Sequence, residues 1–249
     1  MAFGKRKDSD DTSDEIVVGP DPDDGDLDGP FDIEDFDDPS MATVGRLDLG
    51  SVLIPLPEAG QVQVELTQQG VPSAVWVVTP HGRFTIAAYA APKTAGLWRE
   101  VASELADSLR KDVGEVIIQD GVWGREVVGL AAGEQSGQTG VVRFIGVDGY
   151  RWMIRCVVNG PRDNIDALAD EARKALADTV VRRGDTPLPV RTPLPVELPE
   201  PMAKQLQAAA EQAAAQQAQQ AGQQPPPQPA ARRSAQGSAM QQLRTITGG

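Results

Sequence analysis

A chain of 249 residues with a formal net charge of −13 and one cysteine has no internal disulfide framework and no zinc cluster built on cysteines. The acidity is local: residues 1–40 carry 15 acidic and 3 basic side chains, residues 41–186 carry 18 and 15, and residues 187–249 carry 3 and 5. The middle of the chain is nearly balanced and has no basic stripe for a polyanion, so neither nucleic acid nor membrane is an expected partner, and no cofactor or metal is expected.

Residues 1–40 read as a disordered acidic arm, because low hydrophobicity with high net charge cannot offset chain entropy. No apolar segment at the N-terminus suggests a leader, and the default expectation is a cytoplasmic protein. Within the arm, Phe31, Ile33 and Phe36 form an apolar island at residues 29–36 that looks like a docking segment.

Residues 41–185 are expected to form the globular domain, which holds all four Trp and both Tyr. Ser51–Leu56 and Gln61–Thr67 read as strands. Ala74–Val78 and Arg83–Tyr89 read as a hairpin around Pro80-His81-Gly82. Thr94 is placed to cap a helix reaching Val113, with Leu97, Trp98, Val101, Leu105 and Leu109 at helical spacing. Glu115–Gln119 and Gly124–Ala131 read as strands, and Gly133–Gly140 as a loop.

Val141–Val158 is the strongest hairpin signal, turning at Asp148-Gly149. Two registers compete, and a slip of one residue exchanges the faces. A two-residue loop puts Arg143 in one row with Ile145, Trp152 and Ile154, where it would need a buried partner. A three-residue loop, Val147-Asp148-Gly149, gathers Val142, Phe144, Tyr150, Trp152, Ile154 and Cys156 on a core face, and Arg143, Arg151 and Arg155 around Met153 on the other. The second separates apolar from charged and is the expected one. Asp163 then caps a second helix with Ile165, Leu168, Ala172, Leu176 and Val180 as its stripe.

The expected class is α+β: one domain, an antiparallel twisted sheet with two helices on one face, flanked by disordered tails. Residues 186–201 form a Pro-rich strap, and residues 202–249 an Ala/Gln-rich low-complexity tail, largely disordered.

Several segments together resemble one family. They are Gly29-Pro30-Phe31-Asp32 after the acidic arm, Gly45–Gly50, Ala90–Lys93 followed by Gly96-Leu97-Trp98, Val142–Gly149, Arg151-Trp152 with Arg155, and Asp178–Val181. The combination resembles an actinobacterial family, domain of unknown function 3710, over residues 29–184. Tyr150 departs from the family pattern, which has proline there. The resemblance implies a cytoplasmic protein and assigns no activity.

No catalytic motif stands out. Cys156 and His81 are single members of their types, and Cys156 falls on the expected core face. The Gly133–Gly140 loop lacks the lysine of a phosphate cradle. The best surviving site is the trio Arg143, Arg151 and Arg155, whose guanidiniums suit carboxylates or phosphates. The leading reading is a non-catalytic interaction module with an unknown protein partner, its acidic arm folding back onto the domain through Phe31 and Phe36. A small-molecule or anion-binding protein comes second, and an enzyme of unknown reaction last.

Overall fold

The structure is a computed structural model that describes residues 28–67, 70–112, 115–131 and 140–223. The expected disorder of residues 1–27 and 224–249 lies outside the described residues, as does most of the Gly133–Gly140 loop. In chain order the elements are β1 (Phe31–Asp32), β2 (Arg46–Asp48), β3 (Val52–Pro55), β4 (Gln61–Leu66), β5 (Pro72–Thr79), β6 (Gly82–Ala90), α1 (Leu97–Asp112), β7 (Glu115–Gly121), β8 (Gly124–Ala131), β9 (Gly140–Asp148), β10 (Trp152–Pro161), α2 (Ile165–Ala177), β11 (Val180–Val181) and α3 (Glu200–Gln223).

The class is α+β. Seven strands form an antiparallel sheet in the order β4-β5-β6-β10-β9-β8-β7. A smaller sheet, β1-β11-β3-β2, is antiparallel except for the parallel pair β1–β11. α3 starts a unit separate from the domain, and within the Ala/Gln-rich tail the described residues up to Gln223 are helical. The Ala/Gln-rich sequence explains this, since both residues have high helix propensity.

The two helices of the domain lie on opposite faces of the large sheet, not on one. Leu97, Trp98, Ala102 and Ala106 of α1 cluster with Val127 and Met153. Ile165, Leu168, Ala172 and Leu176 of α2 cluster with Val128, Ile145, Ile154, Cys156 and Val158. Val127 and Val128, like Met153 and Ile154, are successive strand residues and so point to opposite faces. β9 and β10 are therefore apolar on both sides, which places them in the middle of the sheet.

The central hairpin corrects the expected register. Asp148 faces Met153, Gly146 faces Arg155, and Arg143 faces Val158. Gly149 donates to the Trp152 carbonyl at 2.9 Å, and the turn is Tyr150-Arg151, with Arg151 at φ 64°. Asp148 does not make the turn because its carboxylate caps α1 across the fold. One oxygen accepts from the Gly96 amide and the other from the Trp98 amide, both at 2.9 Å. Gly149 answers a different need: a Cβ there would lie 2.2 Å from the Trp152 ring. Arg143 thus falls in the apolar row with Ile145, as in the register set aside above, and it finds the buried partner which that register demanded.

α2 begins after a 3₁₀ turn that contains Asp163, and its stripe ends before Val180. Thr179 turns back, its hydroxyl donating to the Ala175 carbonyl and its amide to that of Leu176. Val180 is thereby released into β11.

The strap runs along the domain. The Arg191 amide donates to the Ala90 carbonyl, the Ala90 amide to Thr192, the Leu194 amide to Ala88 and the Glu197 amide to Leu49. The domain also begins earlier than residue 41. Asp32 caps a 3₁₀ turn over Ile33–Asp35, and Phe31, Ile33 and Phe36 pack on Ala42, Leu53 and Val180.

Candidate interaction surface

The expected arginine trio is not brought together. Arg143 is 7% exposed and sits on the α2 side of the sheet. It bonds Asp166 at 2.9 Å and reaches Glu126 at 3.6 Å. Arg151 lies at the hairpin turn, half-buried. Arg155 points to the other face, its guanidinium 4.9 Å from the Tyr89 ring centroid. A register differing by an odd number of residues separates Arg143 from Arg155, because it reverses which side chains are co-facial.

Glu126, 1% exposed, anchors a buried ion cluster under α2. Arg173 bonds it at 2.9 Å, with Arg143 on its flank and the Gln119 amide at 3.4 Å. Burial opposes the charge on Arg173, but the hydrogen bond and charge of Glu126 outweigh it and raise the guanidinium pKa. Such a cluster specifies how α2 seats on the sheet; it faces no solvent that a partner could enter.

The island of the acidic arm is also spent within the chain. The Phe31 amide donates to the Thr179 carbonyl at 2.9 Å, and the Phe31 and Phe36 rings meet edge to face at 6.1 Å. Two tryptophans hold the same segment: Trp123 Nε1 donates to the Gly29 carbonyl at 2.7 Å, and Trp152 Nε1 to Asp32 at 2.8 Å.

Cys156 and His81 do not meet. Cys156 sits within β10 opposite Ile86, fully buried, and burial first, then the Glu126 charge, pushes its thiol far above the usual range. His81 lies 2.9 Å from Glu171 in the β5–β6 turn. The native protein is therefore expected to leave a thiol reagent such as dithionitrobenzoate unreacted at neutral pH, and to react fully once unfolded in urea. Among the described residues no group of acidic, His and Cys side chains could hold a metal, and no helix is long and apolar enough to cross a membrane.

What remains open is half of the face that α1 shares. α1 lies mainly on β7, β8 and β9 and reaches β6 at Tyr89; among the described residues no helix packs on this side of β4 and β5. Cross-strand register puts Gln63, Trp76 and Thr85 in one row, and Tyr89 beside Met153, with Ala87 beside Arg155. Trp76, Val78, Ala87, Tyr89, Arg155 and Val157 are half-buried there, and Arg83 is exposed.

Two guanidiniums lie on aromatic rings: Arg83 is 4.4 Å from the Trp76 centroid, and Arg155 holds Tyr89. Neither makes a salt bridge among the described residues, whereas Glu65 accepts from Trp76 Nε1 at 2.9 Å. At one end, a cleft of about 260 Å³ lies between Tyr89, Met153 and Arg155 of the sheet and Val101 and Leu105 of α1. Arg191 of the strap closes its rim through Glu100 and Glu104. Sequence reasoning passed over Arg83 and Trp76, although strict alternation from Arg83 to Tyr89 already set Arg83, Thr85, Ala87 and Tyr89 on one side.

The model of a family described as protein of unknown function (DUF3710) matches residues 29–205. Among solved structures, the chain is similar to a crystal structure from Bacteroides thetaiotaomicron VPI-5482. The identity is 14% and the TM-score 0.37, over 58% of this chain and 51% of that one, so the chain spans about half its length. It is similar also to LpqN, involved in cell envelope biogenesis of Mycobacterium tuberculosis, at 12% identity and a TM-score of 0.31, over 53% of this chain and 83% of that one. At these scores neither likeness carries an argument. No curated protein sequence matches the chain.

Proposed function

We propose that this chain, which belongs to the DUF3710 family of proteins of unknown function, is a non-catalytic interaction module that docks an acidic polypeptide segment on its open sheet face. The observation that carries the reading is the pair Arg83 and Arg155, stacked on rings and bound to no carboxylate among the described residues. Stacking fixes the plane of a guanidinium; the Arg155 Nε is buried without a partner, so its two terminal nitrogens are the edge that a carboxylate would meet with two parallel bonds. Ala87 and Val157 supply apolar contact between the two cations, and Val78 lies on the far side of Arg83.

The chain's own arm has the right chemistry to occupy this face when no partner is present, since residues 1–27 carry nine acidic and three basic side chains. A cytoplasmic setting belongs to the same reading.

The test is a fluorescence-anisotropy titration with a labelled peptide of residues 8–26. The full chain is expected to bind it saturably, more weakly as salt screens the charges. Removing residues 1–27 should tighten binding by relieving competition. The double substitution Arg83→Glu, Arg155→Glu should weaken it about tenfold or more. Unchanged affinity in that variant refutes the reading. The cleft beside Arg155 favours a second reading, a small aromatic or branched carboxylate; saturable binding of benzoate with none of the peptide would select it.

A further inference from the structure

The large sheet ends in two edges that are built differently. At β4 the pairing slips between Glu65 and Leu66, a bulge, and Gln61, Gln63 and Glu65 stand exposed along the strand. Bulges and polar side chains are how natural sheets keep an edge from pairing with another chain. β7, the other edge, has no bulge, and its exposed polar side chains Glu115, Gln119 and Asp120 flank two central isoleucines rather than alternating along the strand. Its register with β8 is unbroken from Glu115 to Gly121, and it contains no Lys, Arg or Pro. It presents Ile117 at 42% and Ile118 at 40% exposure, and among the described residues no strand pairs with its outer side.

We infer that β7 is a self-association edge, and that its occupant is the β7 of a second copy of this chain, antiparallel across a two-fold axis at Ile118. Hydrogen-bond parity selects that register. Gly121 and Gly124 close the β7–β8 hairpin around two residues, so Gly121, Gln119, Ile117 and Glu115 turn their amides towards β8. Val116, Ile118 and Asp120 are left to bond outward. An axis at Ile118 pairs each of these with an outward residue of the other copy and uses the whole strand.

Charge selects the same register. Glu115 falls opposite Gly121 of the second copy and Asp120 opposite its Val116, so no two carboxylates face each other, whereas an axis shifted by half a residue would oppose Glu115 to Asp120. The Ile118 side chains meet on the α1 side, beside Val116, which already packs against α1. Each Ile117 lies next to Gln119 of the other copy on the α2 side. The result is one continuous fourteen-strand sheet, roughly twice the seven of a single copy.

The full chain is expected to run as a dimer in light scattering after size exclusion, and Ile118→Lys as a monomer with unchanged far-ultraviolet circular dichroism. Ile118→Cys should form a covalent dimer on mild oxidation, because the paired Cα atoms lie within disulfide reach, whereas Gln63→Cys on β4 should not. Cys156 is buried and does not interfere. A wild-type chain that stays monomeric at every concentration overturns the inference, as does an Ile118→Lys chain that remains dimeric. Neither result bears on Arg83 and Arg155, which lie away from β7.

Discussion

Replacing Glu126 with alanine is expected to lower the unfolding free energy by about 3–5 kcal/mol, the cost of breaking a buried ion pair from one side. The carboxylate is 1% exposed and bonds Arg173 through both oxygens, at 2.9 and 3.1 Å. Without it Arg173 and Arg143, on side chains 16% and 8% exposed, keep only Asp170 at 2.7 Å and Asp166 at 2.9 Å and lose the one buried carboxylate they share. Asp170 and Asp166 lie at the rim, 63% and 85% exposed, and neither can move in to replace it without its own desolvation. The measurement is the urea midpoint at constant slope. A triple substitution, Glu126→Leu with Arg143→Met and Arg173→Met, should recover most of the loss, since well-packed apolar side chains can match a buried ion cluster. If the single and triple substitutions cost the same, the penalty comes from packing rather than from unpaired charge.

Gly146→Ala is expected to destabilise the domain by about 1–3 kcal/mol or more, the range for overpacking a filled core. An added Cβ would sit 2.0 Å from the Trp98 ring. That ring cannot retreat cheaply. It is 3% exposed, its Nε1 donates to the Arg125 carbonyl at 2.7 Å, and its backbone amide is held by Asp148. Gly146 has an ordinary φ, so the cost is steric and not conformational. Gly140→Ala on the same strand is the control: no atom of the described residues lies within 4 Å of its added Cβ, and stability should be unchanged or slightly raised. A double substitution Gly146→Ala, Trp98→Leu should cost less than the sum of its parts, because one change makes the room that the other needs.

The alternation in β5, β6, β9 and β10 and the helical spacing in α1 and α2 make the class and most strand boundaries legible in the sequence. Long-range partners were not legible. Asp148-Gly149 reads locally as a hairpin turn, and only the fold shows that α1 claims the aspartate and Trp152 the glycine. That displaced the turn to Tyr150-Arg151 and moved the faces with it. Arg143 looked misplaced in an apolar row because its partner, Glu126, lies on another strand. Residues 28–36 carry the composition of the acidic arm, yet Asp32 and Asp35 form a capping box and the phenylalanines reach a core. Net charge could not reveal this, because it counts those carboxylates as repulsive when they are hydrogen-bonded. Period-two alternation puts Arg83 and Trp76 on one side of their strands, but that α1 stops short of this side depends on tertiary packing that the sequence does not show.

The cap on α1 also has a kinetic meaning. Asp148 lies 52 residues beyond Gly96, past three strands of the sheet, so the first turn of α1 gains its acceptor only when β9 is already in place. An isolated helix of this length is marginal in water. The helix is thus expected to consolidate late, after distant strands have closed a long loop, and the domain to fold slowly for its size.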